Sequence, residues 1–569
     1  MYKGTTPRIR KVLYALIIAF ALLGVRLVFV QMGAGKSLSD IASNQYRLAV
    51  SLFPKRGVIY DRNLKELAIT INLNSIFAEP FRVKDKESAS YKLSSALGIG
   101  RNEIYKKLSR EKGFVWLARK VSPDTAGIVR SLDIKGIDFI KEPQRVYPNG
   151  VLASHVMGFT DTDNNGLEGL ELRFDKYLKG AMGCRYAIRD AKQREVPAYE
   201  YNEIQPTDGD NMVITIDSLI QSIAERELEN GFKKYHAKGA CIIVMDPFTG
   251  DILALANRPS YDPNNVKASP IDFRRNRAIC DFFEPGSSFK IVAASGLLEE
   301  KAVKPSDKFF CENGEYKWYG HTYHDHTPHG WLAFRDVIKF SSNIGTMKAA
   351  QKLGSDRMYK YIKKFGFGAR TGIELPGEVT GITSHPGTWS KLSLCSISMG
   401  QEVTVTALQL ACAMSVFANG GNFVKPRIVE RIQDVSGRVL QEFESKKPQR
   451  VISEETAEEM RNILRGVVDS GTAGLAEVKG YSPAGKTGTA QKVESNGTYS
   501  HSKFTASFIG FVPYDNPRLV IVVIMDEPRP MYYGGVVCAP VFKKVAAELM
   551  SYYKIWPKEI KEAGKKKKS

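Results

Sequence analysis

The sequence predicts a mixed α/β protein with one N-terminal transmembrane helix, a first α/β domain, and a larger domain in which helices flank one antiparallel sheet. Three observations predict this class. Residues 12–30 form a nearly uninterrupted apolar run. Short extended runs bounded by turn residues are followed by helical patterns in the first half of the chain. In the second half, extended apolar runs stand at both ends and amphipathic or apolar helical patterns lie between them.

The first element is the apolar segment Val12–Val30, which contains one charged residue, Arg26. Its length is enough to cross a hydrocarbon layer of about 30 Å, and Arg26 lies near one end, where its side chain can reach the interface. The preceding residues 3–11 hold four basic side chains, so the positive-inside rule puts the N-terminus in the cytoplasm. A cleaved signal peptide is the alternative, but the apolar run is long for one and no A-x-A site follows. We predict a single-pass protein of the cytoplasmic (inner) membrane whose body is periplasmic or extracellular.

Composition excludes several classes of protein. The chain has 569 residues, of which 43% are hydrophobic and 25% charged, which excludes a disordered, collagen-like or polytopic membrane protein. The net charge of +20 permits nucleic acid, an anionic membrane surface or an acidic polymer as partner. Export and the lack of a zinc-finger, RRM or bZIP pattern argue against nucleic acid, and the run Lys565–Lys568 is interpreted as a solvated tail.

Cysteine spacing predicts neither disulfides nor a zinc ribbon. The seven cysteines are scattered and no C-x-x-C occurs. Cys241, Cys395 and Cys412 lie in apolar runs and are predicted to be buried thiols.

The two halves of the exported body differ in their patterns. In the first half, LFPKRGVIYD and ELAITIN predict a hairpin, YKLSSALG and TAGIVRSL predict helices, and no catalytic residue types cluster. In the second half, ACIIVMD and DILALAN flank a turn and predict a hairpin, and FTASFIGFV and LVIVVIM, on either side of another turn, predict two further strands. The predicted segments are a cytoplasmic tail (1–11), a transmembrane helix (12–30), a linker (31–49), a first domain (50–225), a second domain (235–550) and a basic C-terminal tail (551–569).

The first candidate motif is Glu284-Pro-Gly-Ser-Ser-Phe-Lys290, followed by an apolar run that predicts a buried helix. Ser287 and Lys290 are three residues apart and share one helix face. A serine needs a base to become a nucleophile, and a lysine serves only where burial or a nearby cation makes its neutral form accessible. Ser109-Arg-Glu-Lys112 has the same spacing, but it is surrounded by charge and is interpreted as a solvated helix end.

The second candidate is Ser341-Ser342-Asn343, after the amphipathic LAFRDVIKF. The Ser341 hydroxyl could pass a proton between a lysine and a leaving group, and the Asn343 amide could hold a substrate carbonyl. Helix-end chemistry alone is the alternative, because serine and asparagine favour caps.

The third candidate is Lys486-Thr487-Gly488-Thr489 on a predicted strand. Alternation puts the two threonines on one side and Lys486 on the other. Gly488 leaves room for a substrate backbone, and the hydroxyls and the ammonium suit a carboxylate. The N–H groups of Ser287 and Thr489 could form an oxyanion hole.

S-x-x-K, S-x-N and K-T-G, in this order, are typical of penicillin-binding proteins and serine β-lactamases. The chain resembles a class B penicillin-binding protein, a peptidoglycan D,D-transpeptidase, and is more similar to the division-type (FtsI-like) branch because it carries KTGTAQ and SSNIGT. RGVIYDR, RVYP and GLEGLE resemble motifs of that class's pedestal domain. One departure is Leu64, where the family often has glycine after DRN.

The resemblance implies a pedestal (dimerisation-type) domain and a transpeptidase domain, and it implies a role for each motif residue. Ser287 would attack the penultimate D-Ala carbonyl of a stem peptide with Lys290 as base, and Ser341 and Lys486 would complete the catalytic set. Asn343, Thr487, Gly488 and Thr489 would bind substrate. Neither a metal nor a cofactor is implied. The implied partners are peptidoglycan stem peptides, β-lactam antibiotics, the cytoplasmic membrane, a membrane glycosyltransferase and other division proteins, without nucleic acid.

Two alternatives share these motifs. A β-lactamase or β-lactam sensor is disfavoured by the anchor, the pedestal motifs and the size, and a pure scaffold is disfavoured because every catalytic motif position is filled. The histidine-rich stretch His321–His329 suggests a metal site, but Pro328 and Gly330 argue against one regular element presenting the ligands, so we expect a structural loop.

Overall fold

A computed structural model describes residues 6–33, 36, 47–189, 195–196, 203–494 and 496–558. The predicted tail Lys565–Lys568, the N-terminal Lys3 and most of the linker lie outside the described residues. The chain divides into two compact units, of which one comprises Met1–Lys55 and Gly180–Asp208, and the other Arg56–Lys179 and Gly209–Ser569.

The smaller unit contains the predicted anchor. Its helix Thr6–Val28 continues as one π-helical turn, Phe29–Gly33. Pro7–Met32 is long and apolar enough to cross a membrane, which agrees with the predicted spanning segment. The helix begins before residue 12 because arginine and lysine are good helix formers. The unit's strands are Arg47–Leu52, Gly183–Arg189, Glu195–Val196 and Glu203–Ile204.

A five-stranded antiparallel sheet, here called the central sheet, forms the core of the larger unit. Its spatial order is Ile252–Arg258, Gly239–Met245, Leu519–Asp526, Tyr499–Val512 and Ala484–Val493. The hairpin predicted from ACIIVMD and DILALAN is confirmed in it, and the two strands predicted near the C-terminus are present and pair with each other. Ala484–Val493, which carries the K-T-G motif, forms one edge and is here called the edge strand.

Helices cover both faces of the central sheet because its strand residues are buried on alternating sides. One face packs against Lys290–Glu299, Ala407–Ala418 and Glu454–Asp469. The other packs against Ser218–Lys234 and Ala539–Tyr552. The fold class, an antiparallel sheet flanked by helices, is therefore confirmed.

The larger unit contains several further elements. Its other α-helices are Lys86–Leu97, Arg101–Leu108, Pro123–Ser131, Ser154–Met157, Gly169–Arg173, Asp175–Leu178, Arg277–Cys280, Phe334–Lys339, Asn343–Leu353, Ser355–Lys364, Ser393–Ser398 and Gly534–Val537. Four two-stranded sheets pair Lys308–Phe310 with Trp331–Ala333, Glu315–Trp318 with His321–His324, Ile382–Thr383 with Val403–Thr404, and Asn422–Phe423 with Gln449–Arg450.

A second sheet, here called the mixed sheet, joins strands from residues 59–146 of the larger unit to strands from residues 211–214 and 429–442. Its order is Val439–Glu442, Val429–Gln433, Asn211–Ile214, Ile59–Tyr60, Glu66–Ala78 and Val115–Val121, and Ile137–Val146 also pairs with Glu66–Ala78. Ile59–Tyr60 and Asn211–Ile214 run parallel, and the other neighbours are antiparallel. The hairpin predicted near residue 60 is confirmed, but local patterns did not predict that it shares a sheet with residues near 430. The predicted limits 50–225 and 235–550 stay a prediction.

A buried ionic cluster accounts for the three pedestal motifs. Glu171 accepts hydrogen bonds from Arg56 Nε at 2.5 Å and from Arg145 Nε at 2.6 Å, and all three side chains are at most 1% exposed. Burial alone would raise the pKa of the Glu171 carboxyl, but the two guanidinium groups outweigh it and hold the pKa below its usual value. One residue from each motif thus takes part in a buried ion-pair cluster, which holds the three segments together.

Leu64 occupies a backbone conformation that favours glycine. Its φ is +62°, and its N–H donates to the Asp61 carbonyl at 3.0 Å in the turn of the hairpin. The side chain is 55% exposed, so the departure from the family pattern retains the turn at the expense of backbone strain.

Candidate active site

Ser287 lies on a single 3₁₀ turn, Gly286–Phe289, that leads into the helix Lys290–Glu299. Gly286 has a φ of +53°, and a side chain there would come within 3.0 Å of the Thr489 carbonyl oxygen. The turn is therefore packed closely against the edge strand. Ser287 is partly exposed, whereas Ser288 and Lys290 are buried.

The Lys290 ammonium is held by the S-x-N motif. Lys290 Nζ donates to the Ser341 carbonyl oxygen at 2.6 Å and to Asn343 Oδ1 at 2.7 Å, and it lies 3.3 Å from Ser341 Oγ. Among the described residues it makes no hydrogen bond to Ser287 Oγ. The helical spacing thus places Ser287 and Lys290 on one turn, while Ser341 and Asn343 determine the direction of the Lys290 ammonium.

Lys486 approaches Ser341 from the edge strand. Its Nζ donates to Ser341 Oγ at 2.8 Å and to the Thr487 carbonyl oxygen at 3.2 Å. Ser341 Oγ therefore lies between two lysine side chains, both 0% exposed. In the part of the chain that the structure describes, neither ammonium is paired with a carboxylate within 4.0 Å.

Burial makes both lysines easier to deprotonate. It lowers the pKa of Lys290 to about 7, although the more distant charge of Asp325 acts in the opposite direction. It also lowers the pKa of Lys486 well below its usual value, and the charge of Lys290 adds to this effect. Because two adjacent buried ammonium groups repel each other, the site favours a state in which one of them is neutral.

Asp325 is a site residue that the sequence reasoning missed. Its Oδ2 accepts from Ser342 Oγ at 2.5 Å, and its Oδ1 accepts from the backbone N–H groups of Asn343 at 2.5 Å and Ile344 at 3.0 Å. It lies in the histidine-rich stretch, whose pattern suggested only a metal site or a structural loop. The sequence contains no signal that this loop caps a helix beginning 18 positions later.

The edge strand orients its motif as alternation predicts. Lys486 faces Ser341, whereas Thr487 Oγ1 contacts Thr472 Oγ1 at 2.9 Å and Thr489 Oγ1 accepts from the Gly534 N–H at 3.1 Å.

Gly488 has a packing role of its own. A side chain there would lie 2.2 Å from Ser507 Oγ and 2.9 Å from the Pro285 carbonyl oxygen. Glycine is thus required for the Ser287 turn to pack on the strand, independently of any substrate.

A cavity of about 280 Å³ opens at Ser287. Asn343 and Thr489 also line it, as do Glu284 and Gln401. Burial raises the pKa of the Glu284 carboxyl, which accepts hydrogen bonds from the Glu402 N–H at 2.9 Å and from Tyr499 Oη at 3.2 Å. Three of the eight predicted site residues, Ser287, Asn343 and Thr489, line this cavity. Lys290, Ser341 and Lys486 are joined to Asn343 by hydrogen bonds. Thr487 and Gly488 lie on the edge strand between Lys486 and Thr489 and do not line the cavity.

Three of the four histidines of the stretch His321–His329 lie against aromatic rings. His321 packs edge-on against Tyr323, His326 lies 4.9 Å from the Tyr533 ring, and His329 lies 5.3 Å from the Phe340 ring. No group of three or more potential ligands that could hold a metal ion is found among the described residues.

All seven cysteines are free, and the three predicted to be buried are buried.

Comparison with known proteins identifies two family domains. Residues 51–214 match the penicillin-binding protein dimerisation domain, and residues 240–547 match the penicillin binding protein transpeptidase domain. The chain is 34% identical over 551 residues to the stage V sporulation protein D of Bacillus subtilis, covering 95% of this chain and 85% of that protein.

Two further relatives support the same assignment. The peptidoglycan D,D-transpeptidase FtsI of Escherichia coli is 32% identical over 514 residues, covering 88% of this chain and 84% of that protein. The crystal structure of penicillin binding protein 3 from Mycobacterium tuberculosis, complexed with aztreonam, superposes with a TM-score of 0.70 at 29% identity, covering 89% of this chain and 98% of that one. Together with the fold and the three motifs, these matches establish that the chain belongs to the penicillin-binding proteins of the FtsI-like D,D-transpeptidase type.

Proposed function

We propose that this protein crosslinks peptidoglycan stem peptides as a serine D,D-transpeptidase, through an acyl-enzyme on Ser287. The observation that carries the proposal is the pair of buried lysines that share Ser341 Oγ, at 2.8 Å and 3.3 Å, beside a serine that opens onto a cavity. Such a pair makes a neutral amine accessible near neutral pH, which a serine nucleophile needs.

In the proposed acylation, Ser287 Oγ forms a bond to the penultimate D-Ala carbonyl carbon and loses its proton to Lys290. The bond from that carbon to the terminal D-Ala nitrogen breaks, and the leaving amine takes a proton through Ser341. The short contacts of Ser341 Oγ with both lysines support this relay. An amine of a neighbouring stem peptide then attacks the acyl carbon and forms the C–N bond of the crosslink. The ester bond between that carbon and Ser287 Oγ breaks, and the proton that the amine gives up returns to Ser287 Oγ.

The proposed substrate contacts follow the edge strand. Asn343 would orient the bound peptide, Thr487 and Thr489 would bind its terminal carboxylate, and the N–H groups of Ser287 and Thr489 would stabilise the oxyanion. The close packing of Gly286 on Thr489 supports the last assignment, because it brings the two backbone segments together. Gly488 would let the substrate run close to the strand.

The membrane orientation and the biological setting are also proposals. Arg8, Arg10 and Lys11 at the start of the helix Thr6–Val28 support a cytoplasmic N-terminus and an external catalytic domain. We propose a role in septal wall synthesis together with a membrane glycosyltransferase and other division proteins. A fluorescent fusion that follows the whole side wall instead of the septum would contradict this role.

Covalent labelling by fluorescent penicillin tests the nucleophile. We expect one labelled band for the wild-type protein in membranes and none for Ser287→Ala. Ser109→Ala is the matched control, because Ser109 has the same S-x-x-K spacing on an exposed helix end, and it should label fully. Persistent labelling of Ser287→Ala would refute the assignment, and rapid turnover of a chromogenic cephalosporin would favour a β-lactamase instead.

A further inference from the structure

The helix Asn343–Leu353 begins with an unusual cap. The side chain of its N-cap residue Ser342 accepts from the Gly345 N–H at 2.9 Å. The first two N–H groups of the helix, those of Asn343 and Ile344, instead donate to Asp325 from a separate hairpin. The Ser342 hydroxyl also donates to the same carboxylate, so that Asp325 completes the local serine cap of this helix end from a distant part of the chain.

The turn held in this way contains a strained residue. Ser341 has a φ of +61°, a region that a non-glycine residue keeps only where the surroundings enforce it. The groups that receive the Lys290 ammonium, the Ser341 carbonyl and Asn343 Oδ1, lie on either side of Ser342. Because Asn343 Nδ2 also donates to the His324 carbonyl oxygen at 2.9 Å, the turn has a second attachment to the same loop. A loss of the Asp325 contacts would therefore loosen the turn that carries the Ser341 carbonyl and Asn343 Oδ1 and shift these acceptors of Lys290.

Asp325 is itself fixed by the backbone. Its N–H donates to the Gly314 carbonyl at 3.0 Å, next to the paired strands Glu315–Trp318 and His321–His324. The carboxylate thus projects from a short two-stranded sheet and connects it to the catalytic turn.

We propose that Asp325 is a positioning residue, whose carboxylate holds the Ser341–Asn343 turn in the conformation that receives the Lys290 ammonium. This inference rests on the proposed function of Ser287 and Lys290 and assigns to the histidine-rich stretch a part in the reaction. Asp325 contacts neither Ser287 nor Lys290 within hydrogen-bond distance among the described residues, so it acts through the turn.

The charge of Asp325 should also be visible in the titration of Lys290. The titratable groups that face Lys290 are Lys486 from the edge strand, Cys311, whose Sγ lies beside Gly345, and Asp325 from the loop. Asp325 is the carboxylate among them, and of the groups that favour the ammonium form of Lys290 it has the larger effect, ahead of Cys311. Its removal should therefore make Lys290 neutral at a lower pH.

The test compares Asp325→Asn and Asp325→Ala in the full-length protein by measuring the rate of acylation with fluorescent penicillin across a pH series. The Asp325→Asn variant keeps an oxygen acceptor and lacks the charge. The pH at which its acylation rate is half-maximal should therefore be lower than in the wild type, and its maximal rate at high pH, here called the plateau, should fall modestly. Asp325→Ala removes every contact of the carboxylate, so the plateau should fall on the order of a hundredfold. Asp336→Asn, which removes a carboxylate from the neighbouring helix Phe334–Lys339, should leave both quantities unchanged.

Two outcomes would overturn the inference. One is a plateau and a pH midpoint of Asp325→Asn that both equal those of the wild type. The other is an Asp325→Ala variant that reacts at the wild-type rate. A wild-type protein that is not labelled at all would instead refute the proposed function, and a thermal unfolding curve for each variant separates loss of the fold from loss of the turn.

Discussion

Two lysine side chains that share one serine hydroxyl dominate the site at the scale of single residues. Lys290 and Lys486 are fully buried and are not paired with carboxylates among the described residues. A pair of this kind is costly for the fold, because burial disfavours both ammonium forms. The cost is consistent with a catalytic use, since it brings a lysine into the pH range in which it can accept a proton.

The depressed pKa of Lys290 predicts how acylation depends on pH. Since the neutral amine is the base and its pKa is lowered to about 7, the base form is lost as the pH falls through that value. We expect the acylation rate to decrease about tenfold per pH unit below the midpoint and to level off above it. The measurement is the rate of labelling by fluorescent penicillin between about pH 5 and about pH 9.

The control for this titration is the thermal unfolding midpoint at each pH, which separates acid denaturation from loss of the base. A rate that is constant over the range, or a midpoint close to that of a solvent-exposed lysine, would contradict the role of Lys290.

Sequence spacing predicted only part of this chemistry. Ser287 and Lys290 could be assigned because three residues make one helical turn, and the alternation of strand residues correctly separated Lys486 from Thr487. Asp325 could not be assigned, because its contacts join two segments that are adjacent only after folding. The same limitation applies to the position of the Lys290 ammonium, which depends on Ser341 and Asn343 at the turn that begins another helix.

At the scale of elements, the site depends on the fit between the Ser287 turn and the edge strand. Gly488 is the contact point, since the space for its side chain is already filled by Ser507 Oγ and the Pro285 carbonyl. We expect Gly488→Ala to push the turn away from the strand and to reduce acylation on the order of a hundredfold. Overpacking should also destabilise the fold by about 1–3 kcal/mol, and both effects can be measured by penicillin labelling and thermal unfolding.

Gly466→Ala is the matched control for that variant. Gly466 lies within the helix Glu454–Asp469, and the nearest atom to an added side chain is Lys339 Cδ at 3.8 Å. This substitution should retain the acylation rate and stabilise the protein by about 0.5–1 kcal/mol. If Gly488→Ala behaved in the same way, the close fit would not be required.

At the scale of the larger unit, long-range pairing joins segments that the sequence patterns treat as separate. The mixed sheet pairs Asn211–Ile214 with Ile59–Tyr60 on one side and with Val429–Gln433 on the other. The sequence pattern near residue 60 predicts the short strands themselves but not the strands with which they pair. Side-chain alternation indicates which face of a strand is buried and does not identify the neighbouring strand. The buried cluster of Arg56, Arg145 and Glu171 ties the same half of the unit together.

Removal of the central carboxylate of this cluster should therefore destabilise the fold without altering the chemistry. Glu171→Gln removes the carboxylate partner of the buried Arg145 and one of the two carboxylates that pair with Arg56, the other being Asp175. We expect it to lower the free energy of unfolding by about 3–5 kcal/mol. Urea denaturation followed by tryptophan fluorescence measures this change. The matched control is Glu79→Gln, because its partner Arg82 is 45% exposed and such a pair contributes about 1 kcal/mol or less. The folded fraction of Glu171→Gln should still react with penicillin at the wild-type rate, since the cluster contains none of the proposed catalytic residues. Equal losses of stability in Glu171→Gln and Glu79→Gln would show that the buried cluster does not hold these segments together.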